Sequence, residues 1–138
     1  KAKEFKTDYP GVSVKNLFPL GAEERMQMDE DEIELTKKAI ALTKDGLCNV
    51  MANLKPGMKE YQAQADFEYI IRRGGAEWTA FPTIAGSGMN GTMLHYDTNR
   101  ETMEDGTLVL LDLGARIDGY NSDITRTYPV NGRFTERQ

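Results

Sequence analysis

Residues 108–113 read Leu-Val-Leu-Leu-Asp-Leu, and Asp118-Gly119 follows shortly after. The first is a strand-type apolar run interrupted by one carboxylate, and the second is the strongest short hairpin signal a sequence offers. Together they predict two antiparallel strands, Thr107 to Ile117 and Tyr120 to Tyr128, ended by Pro129. With a two-residue loop, Ile117 faces Tyr120 and Asp112 faces Thr125. Every second residue along a strand shares a face. Asp123 therefore lies diagonal to Asp112 on that face, at roughly 7–8 Å between backbones.

A carboxylate in an apolar strand is costly unless it is paired, protonated or bound to a cation. Two of them at diagonal spacing repel, which raises one pKa, or converge on a hard cation. The hairpin alone leaves two readings open. In one, Asp112 and Asp123 hold metal. In the other, Asp123 bonds a neighbouring Ser or Thr while Asp112 pairs with Arg116 or Arg126.

The chain has one histidine and one cysteine. Cysteine-rich zinc sites are thereby excluded, and a Ser-His-Asp or Cys-His mechanism would have to pass through His95. Cys48 reads as a small buried residue in a helix, consistent with a reducing, cytoplasmic compartment. The net charge of −5 has no clustered basic surface to set against it, so nucleic acid is not expected as a partner. No apolar run approaches the roughly 18 residues of a membrane span.

Ahead of the strands, residues 1–28 hold Tyr9-Pro10-Gly11, Pro19 and Gly21 and read as an extended lead-in or inter-domain segment. The chain opens on Lys1, so its natural start is expected upstream. A long amphipathic helix is predicted from Asp29, where Asp29 and Glu32 resemble a capping box, to Lys55-Pro56-Gly57. Its expected stripe is Ile33, Ile40, Leu47 and Leu54, filled in by Thr36, Thr43 and Val50. A second helix is expected from Lys59 to Arg73, with Tyr61, Ala65, Tyr69 and Arg72 on one face. Trp78 to Ala85 reads as a strand weakened by Pro82. Residues 86–91 read as a mobile glycine-rich loop that brings substrate near His95, and Met93 to Tyr96 as a short strand. Gly86-Ser87-Gly88 lacks the lysine of a phosphate-binding P-loop. A histidine on an apolar strand is by itself more often a core residue than a catalytic one.

Three phrases in order resemble the pita-bread metallopeptidases: Phe81-Pro82-Thr83-Ile84-Ala85-Gly86-Ser87-Gly88-Met89-Asn90-Gly91 with Leu94-His95-Tyr96, Asp105 to Gly114, and Gly119 to Gly132. Ser122-Asp123-Ile124-Thr125-Arg126-Thr127-Tyr128-Pro129-Val130-Asn131-Gly132 is most similar to the aminopeptidase P and prolidase branch. The resemblance implies an α+β fold, with residues 29–138 as the first half of a pita-bread catalytic domain, helices packed on antiparallel strands. It implies Asp112 as ligand of one metal, Asp123 as bridge between two, Thr125 as support for the metal shell, and His95 and Phe81 as substrate-binding, with His95 steadying the developing oxyanion. The implied reaction is hydrolysis of the bond before proline, or of an Xaa-Pro dipeptide, by a water activated by two divalent ions. Manganese suits the oxygen ligands best, with cobalt, zinc and iron as alternatives.

The family's complete site also needs a histidine and two glutamates, which the sequence does not offer after Asp123. The expectation is therefore a fragment that binds little or no metal alone, is nearly inactive, lacks the second half as its partner, and self-associates through exposed apolar strand surface. A metal-free peptide- or protein-binding member of the fold and a creatinase-like enzyme are the alternatives.

Overall fold

The computed structural model describes residues 1–138, which divide into two units, Lys1–Glu30 and Asp31–Gln138. The first unit is not extended. It forms two short helices, α1 (Ala2–Asp8) and α2 (Phe18–Arg25), neither with a buried residue. Pro19 falls in the first turn of α2, where a missing N–H costs no hydrogen bond. The Asn16 side chain accepts from the Phe18 N–H at that end.

In the second unit, α3 (Glu30–Asn53) ends where Lys55-Pro56-Gly57 requires it to. Its buried face is Ala39, Thr43, Gly46, Leu47 and Val50. Ile33 and Ile40, expected on the stripe, are exposed. A strict seven-residue repeat drifts by about 20° per heptad on a straight helix, and the small residues Ala39 and Gly46 turn the contact toward themselves. Cys48 is exposed too, on the far side of the same helix.

The next helix, α4 (Glu60–Arg73), is started by the Gln62 side chain accepting from the Lys59 N–H at 2.8 Å. It buries Glu60, Ala63, Phe67 and Ile71. Tyr61, Ala65, Tyr69 and Arg72 lie on its exposed side. The buried face packs under two three-stranded antiparallel sheets.

The sheets are assembled from β1 (Trp78–Thr79), β2 (Ile84–Ser87), β3 (Leu108–Leu113), β4 (Ala115–Ile117), β5 (Tyr120–Asn121) and β6 (Ile124–Pro129). One has the order β1-β4-β5 and the other β2-β3-β6. Both predicted long strands are thus broken in two. On one arm the break is Gly114, where a Cβ would overlap the Ser122 carbonyl oxygen. On the other it is Ser122-Asp123. The predicted Trp78–Ala85 strand is broken as well, between Thr79 and Ile84, around Pro82.

The hairpin register is the one the two-residue turn requires, with Ile117 opposite Tyr120 and Asp112 opposite Thr125. Asp118 and Gly119 both take positive φ, 48° and 86°, the geometry that matches the twist of the flanking strands. Along β3 burial alternates: Val109, Leu111 and Leu113 are buried in the core with Phe67 and Ile71. Asp112 points to the other face. The apolar run is therefore a helix-covered strand whose carboxylate was never inside the core.

Candidate metal centre and substrate pocket

Asp112 lies on the middle strand of its sheet, with Ile84 opposite on β2 and Thr125 opposite on β6. The Thr125 hydroxyl donates to Asp112 Oδ1 at 2.8 Å, which fixes one carboxylate oxygen. Neither arginine of the alternative reading neutralises the pair. Arg116 is paired with Glu77 at 3.3 Å, and Arg126 donates to the Thr125 carbonyl.

Asp123 is set by the strand break. Ser122 just before it is buried, and its hydroxyl lies 2.6 Å from that of Thr43 on α3. The Ala115 N–H donates to both oxygens, at 2.8 Å to Thr43 and 3.0 Å to Ser122. These hydroxyls clamp α3 to the sheet junction and hold the backbone that carries Asp123. Desolvation, then the charge of Asp112, then a hydrogen bond with the Asp112 carboxyl push the Asp123 carboxyl above its ordinary value of 3.8. The charge of Asp112 thus opposes ionisation of Asp123, a repulsion that a cation beside the two carboxyls would relieve.

Phe81, Pro82, Ile84, His95, Asp97, Asp112 and Asp123 line one cavity of about 380 Å³. The structure thus brings four of the expected site residues to one place, with Thr125 bonded to one of them. One wall is apolar and the other acidic, a division suited to a ligand with an apolar side chain beside a polarised group.

The route by which His95 reaches this cavity differs from the sequence expectation. Residues 86–91 are not a free loop: Gly86 and Ser87 finish β2, and Gly88–Thr92 forms a 3₁₀ turn. Met93 to Tyr96 is not a strand either. His95 sits in a turn with φ 56°, a left-handed conformation that few residues other than glycine adopt. Held polar residues outweigh strand propensity here. Tyr96 and Asn90 are bonded to the buried Glu60, and buried Asn99 joins the Ala85 N–H, the Thr83 carbonyl and Gln64.

Sequence reasoning missed Asp97, which carries no motif, and the Thr43–Ser122 and Glu60 networks. Thr43 falls on the expected stripe, where the sequence gives it no role beyond filling a turn. Glu60 reads from sequence as an ordinary acid in a first helical turn, favoured by the helix dipole alone.

The donor set fits divalent cations, since both carboxylates offer hard oxygens and a cation would relieve their repulsion. It does not complete a coordination shell. No three His, Cys, Asp or Glu side chains lie close enough together to hold a metal ion.

Residues 34–138 match the profile of metallopeptidase family M24. The chain is 41% identical to the Xaa-Pro aminopeptidase of Escherichia coli over 120 residues, which are 87% of this chain and 27% of that protein. It is 34% identical to the Xaa-Pro dipeptidase of Mus musculus over 140 residues, covering 94% of this chain and 28% of that protein. A solved structure of a putative aminopeptidase P from Bacillus anthracis superposes with a TM-score of 0.95 at 45% identity, covering 99% of this chain and 33% of that one. The α+β arrangement is accordingly that of the pita-bread fold, and the chain spans about a quarter of the length of these curated relatives.

Proposed function

The chain belongs to metallopeptidase family M24, and from that premise we propose that it supplies part of the active site of a metal-dependent Xaa-Pro aminopeptidase cleaving the bond before proline. The observation that carries this reading is that Asp112 and Asp123 line the same cavity as His95 and Phe81.

In this reading Asp112 and Asp123 would hold divalent cations, together with ligands from outside residues 1–138. When bound, the ions supply Lewis-acid polarisation of the scissile carbonyl and acidify the attacking water. Manganese is the metal we favour for these hard oxygen donors, ahead of cobalt, zinc and iron. Thr125 fixes the orientation of Asp112 by its hydrogen bond. His95 donates toward the carbonyl oxygen as negative charge develops there, and Phe81 forms the apolar wall against the substrate side chain. The ligand is a peptide with proline in its second position. The Xaa-Pro dipeptidase among the relatives supports a second reading, in which the same centre splits dipeptides. The one cysteine, exposed and unpaired, supports a cytoplasmic setting, and no helix is long and apolar enough to cross a membrane. Exposed Met51 and Phe134 near a second, apolar cleft support self-association.

The test is hydrolysis of an Xaa-Pro-Xaa tripeptide and an Xaa-Pro dipeptide by the full-length protein, before and after chelation, for wild type and for Asp112→Asn and Asp123→Asn. Turnover that requires manganese, and that falls by more than about 100-fold in either variant, is expected of a centre built on these ligands. Preference for the tripeptide selects the aminopeptidase. Turnover unaffected by chelation would overturn the metal reading, and manganese binding without turnover on either peptide would favour a non-catalytic peptide-binding member.

A further inference from the structure

Glu60 is a fully buried carboxylate without a basic partner, and every group bonded to its carboxylate is a donor. Its Oε1 accepts from the Ser87 N–H and the Ser87 hydroxyl, both at 2.8 Å, and from Asn90 Nδ2 at 3.1 Å. Its Oε2 accepts from the Tyr96 hydroxyl at 2.7 Å and the Glu101 N–H at 3.0 Å. Asn90 also donates to the Tyr96 hydroxyl at 3.0 Å, closing the ring. Burying a carboxylate is strongly unfavourable unless its lone pairs are filled, and here they are filled entirely by the segment from Ser87 to Glu101.

That segment contains His95. Its two ends, at Ser87 and Glu101, and two of its inner residues, Asn90 and Tyr96, are tied to one side chain on α4. Between them His95 takes a left-handed backbone conformation and reaches the cavity, while Leu94 beside it stays almost wholly exposed. A short exposed turn would not hold one strained conformation by its own packing. The strain persists because the surrounding bonds over-determine it.

We infer that Glu60 is the positioning residue of the His95 turn: it does not touch the cavity, and it sets where the imidazole stands over Asp112 and Asp123. The inference rests on the peptidase reading for what His95 does there, though the positioning itself can be read without turnover. Its direct link is Tyr96, adjacent to His95 and bonded to Glu60 through a single hydroxyl.

The test uses Glu60→Gln and Tyr96→Phe. Gln places an amide N–H₂ where an acceptor is needed, against backbone N–H groups that cannot reverse. Tyr96→Phe removes one hydroxyl from a half-buried ring and carries the test alone if Glu60→Gln does not fold. Because the chain has a single histidine, the imidazole signal of metal-free chain in a carbon–proton NMR spectrum is one line, read at fixed pH. Expected are a shifted or broadened His95 line in Tyr96→Phe and, in the full-length protein, kcat lower by roughly 10- to 100-fold with KM within about 3-fold of wild type.

A His95 line identical to wild type in folded Tyr96→Phe and Glu60→Gln would overturn the positioning, whatever the turnover. A displaced line with wild-type kcat would leave the positioning standing and overturn the role assigned to His95 in the reaction. A rise in KM with kcat unchanged would likewise keep the positioning and move His95 from the developing oxyanion to ground-state substrate binding.

Discussion

Glu60 at the start of α4 and Asp123 at the break before β6 are both carboxylates that take part in no ion pair. Around Glu60 five donated hydrogen bonds outweigh the burial that opposes ionisation, and its carboxyl is held below the usual value of 4.5. Around Asp123 desolvation, then the charge of the neighbouring Asp112 carboxyl, raise its value. One acid is satisfied by donors of its own chain, and the other has a second acid beside it. The difference separates a structural carboxylate from a candidate ligand better than burial does, because the more buried of the two is the one that needs nothing further.

The largest effect that could break this contrast is on stability. Glu60→Ala leaves five donors without their acceptor, some of them backbone groups that water cannot readily reach. At about 1–3 kcal/mol for each buried group left unmade, partly relieved by water entry, the loss should be on the order of 4 kcal/mol. Asp112→Ala in the metal-free chain removes an acceptor from one exposed threonine and should cost under about 1 kcal/mol. Urea unfolding of the two variants side by side checks this. Equal losses would mean that Asp112 is as structural as Glu60.

A smaller effect sharpens the metal side. Thr125→Val keeps the β-branched shape on β6 but removes the bond to Asp112 Oδ1. Partners that orient a metal-binding carboxylate typically contribute 10- to 100-fold in affinity. Manganese affinity of the full-length protein, by titration calorimetry, should fall within about that range, with unfolding of the metal-free chain almost unchanged. An unchanged affinity would remove Thr125 from the support of the site.

How far the sequence foretold this contrast depends on the range of the interactions. Asp112 opposite Thr125 was legible because a two-residue turn counts registers from a fixed point, and the turn residues Asp118-Gly119 name themselves. The ends of α3 and α4 were legible from Pro56-Gly57 and Gly74-Gly75. The face of α3 was not: Ile33 and Ile40 are exposed, and Ala39 and Gly46, too small to register as apolar signals, are inside. The His95 turn was illegible for a different reason. Glu60 meets Ser87, Asn90, Tyr96 and Glu101 across 27, 30, 36 and 41 residues. A local reading of Met93 to Tyr96 finds strand propensity and nothing to oppose it. The two short helices before Asp31 were hidden by Pro10, Gly11, Pro19 and Gly21, which read as breakers although Pro19 begins a helix.

The smallest expected effect concerns acid titration, where the two carboxylates should act with opposite sign. Glu60 has a lowered folded value, so its stabilisation is present above 4.5 and is lost as pH falls through that lower value. Asp123 has a raised folded value. Relative to the unfolded chain it favours the fold below 3.8, and that contribution disappears as pH rises through the raised value. At about pH 7 in chelator, Asp123→Asn should therefore raise the melting temperature slightly. The gain should stay well under about 1 kcal/mol, since an exposed carboxylate is screened by water. In the full-length protein saturating manganese should reverse the order, because wild type then gains binding free energy that Asp123→Asn cannot. Such a crossing, stabilised without metal and destabilised with it, is what a carboxylate placed for a cation should show. Destabilisation of Asp123→Asn in chelator would mean that the charge is already satisfied within the chain, and would place Asp123 with Glu60.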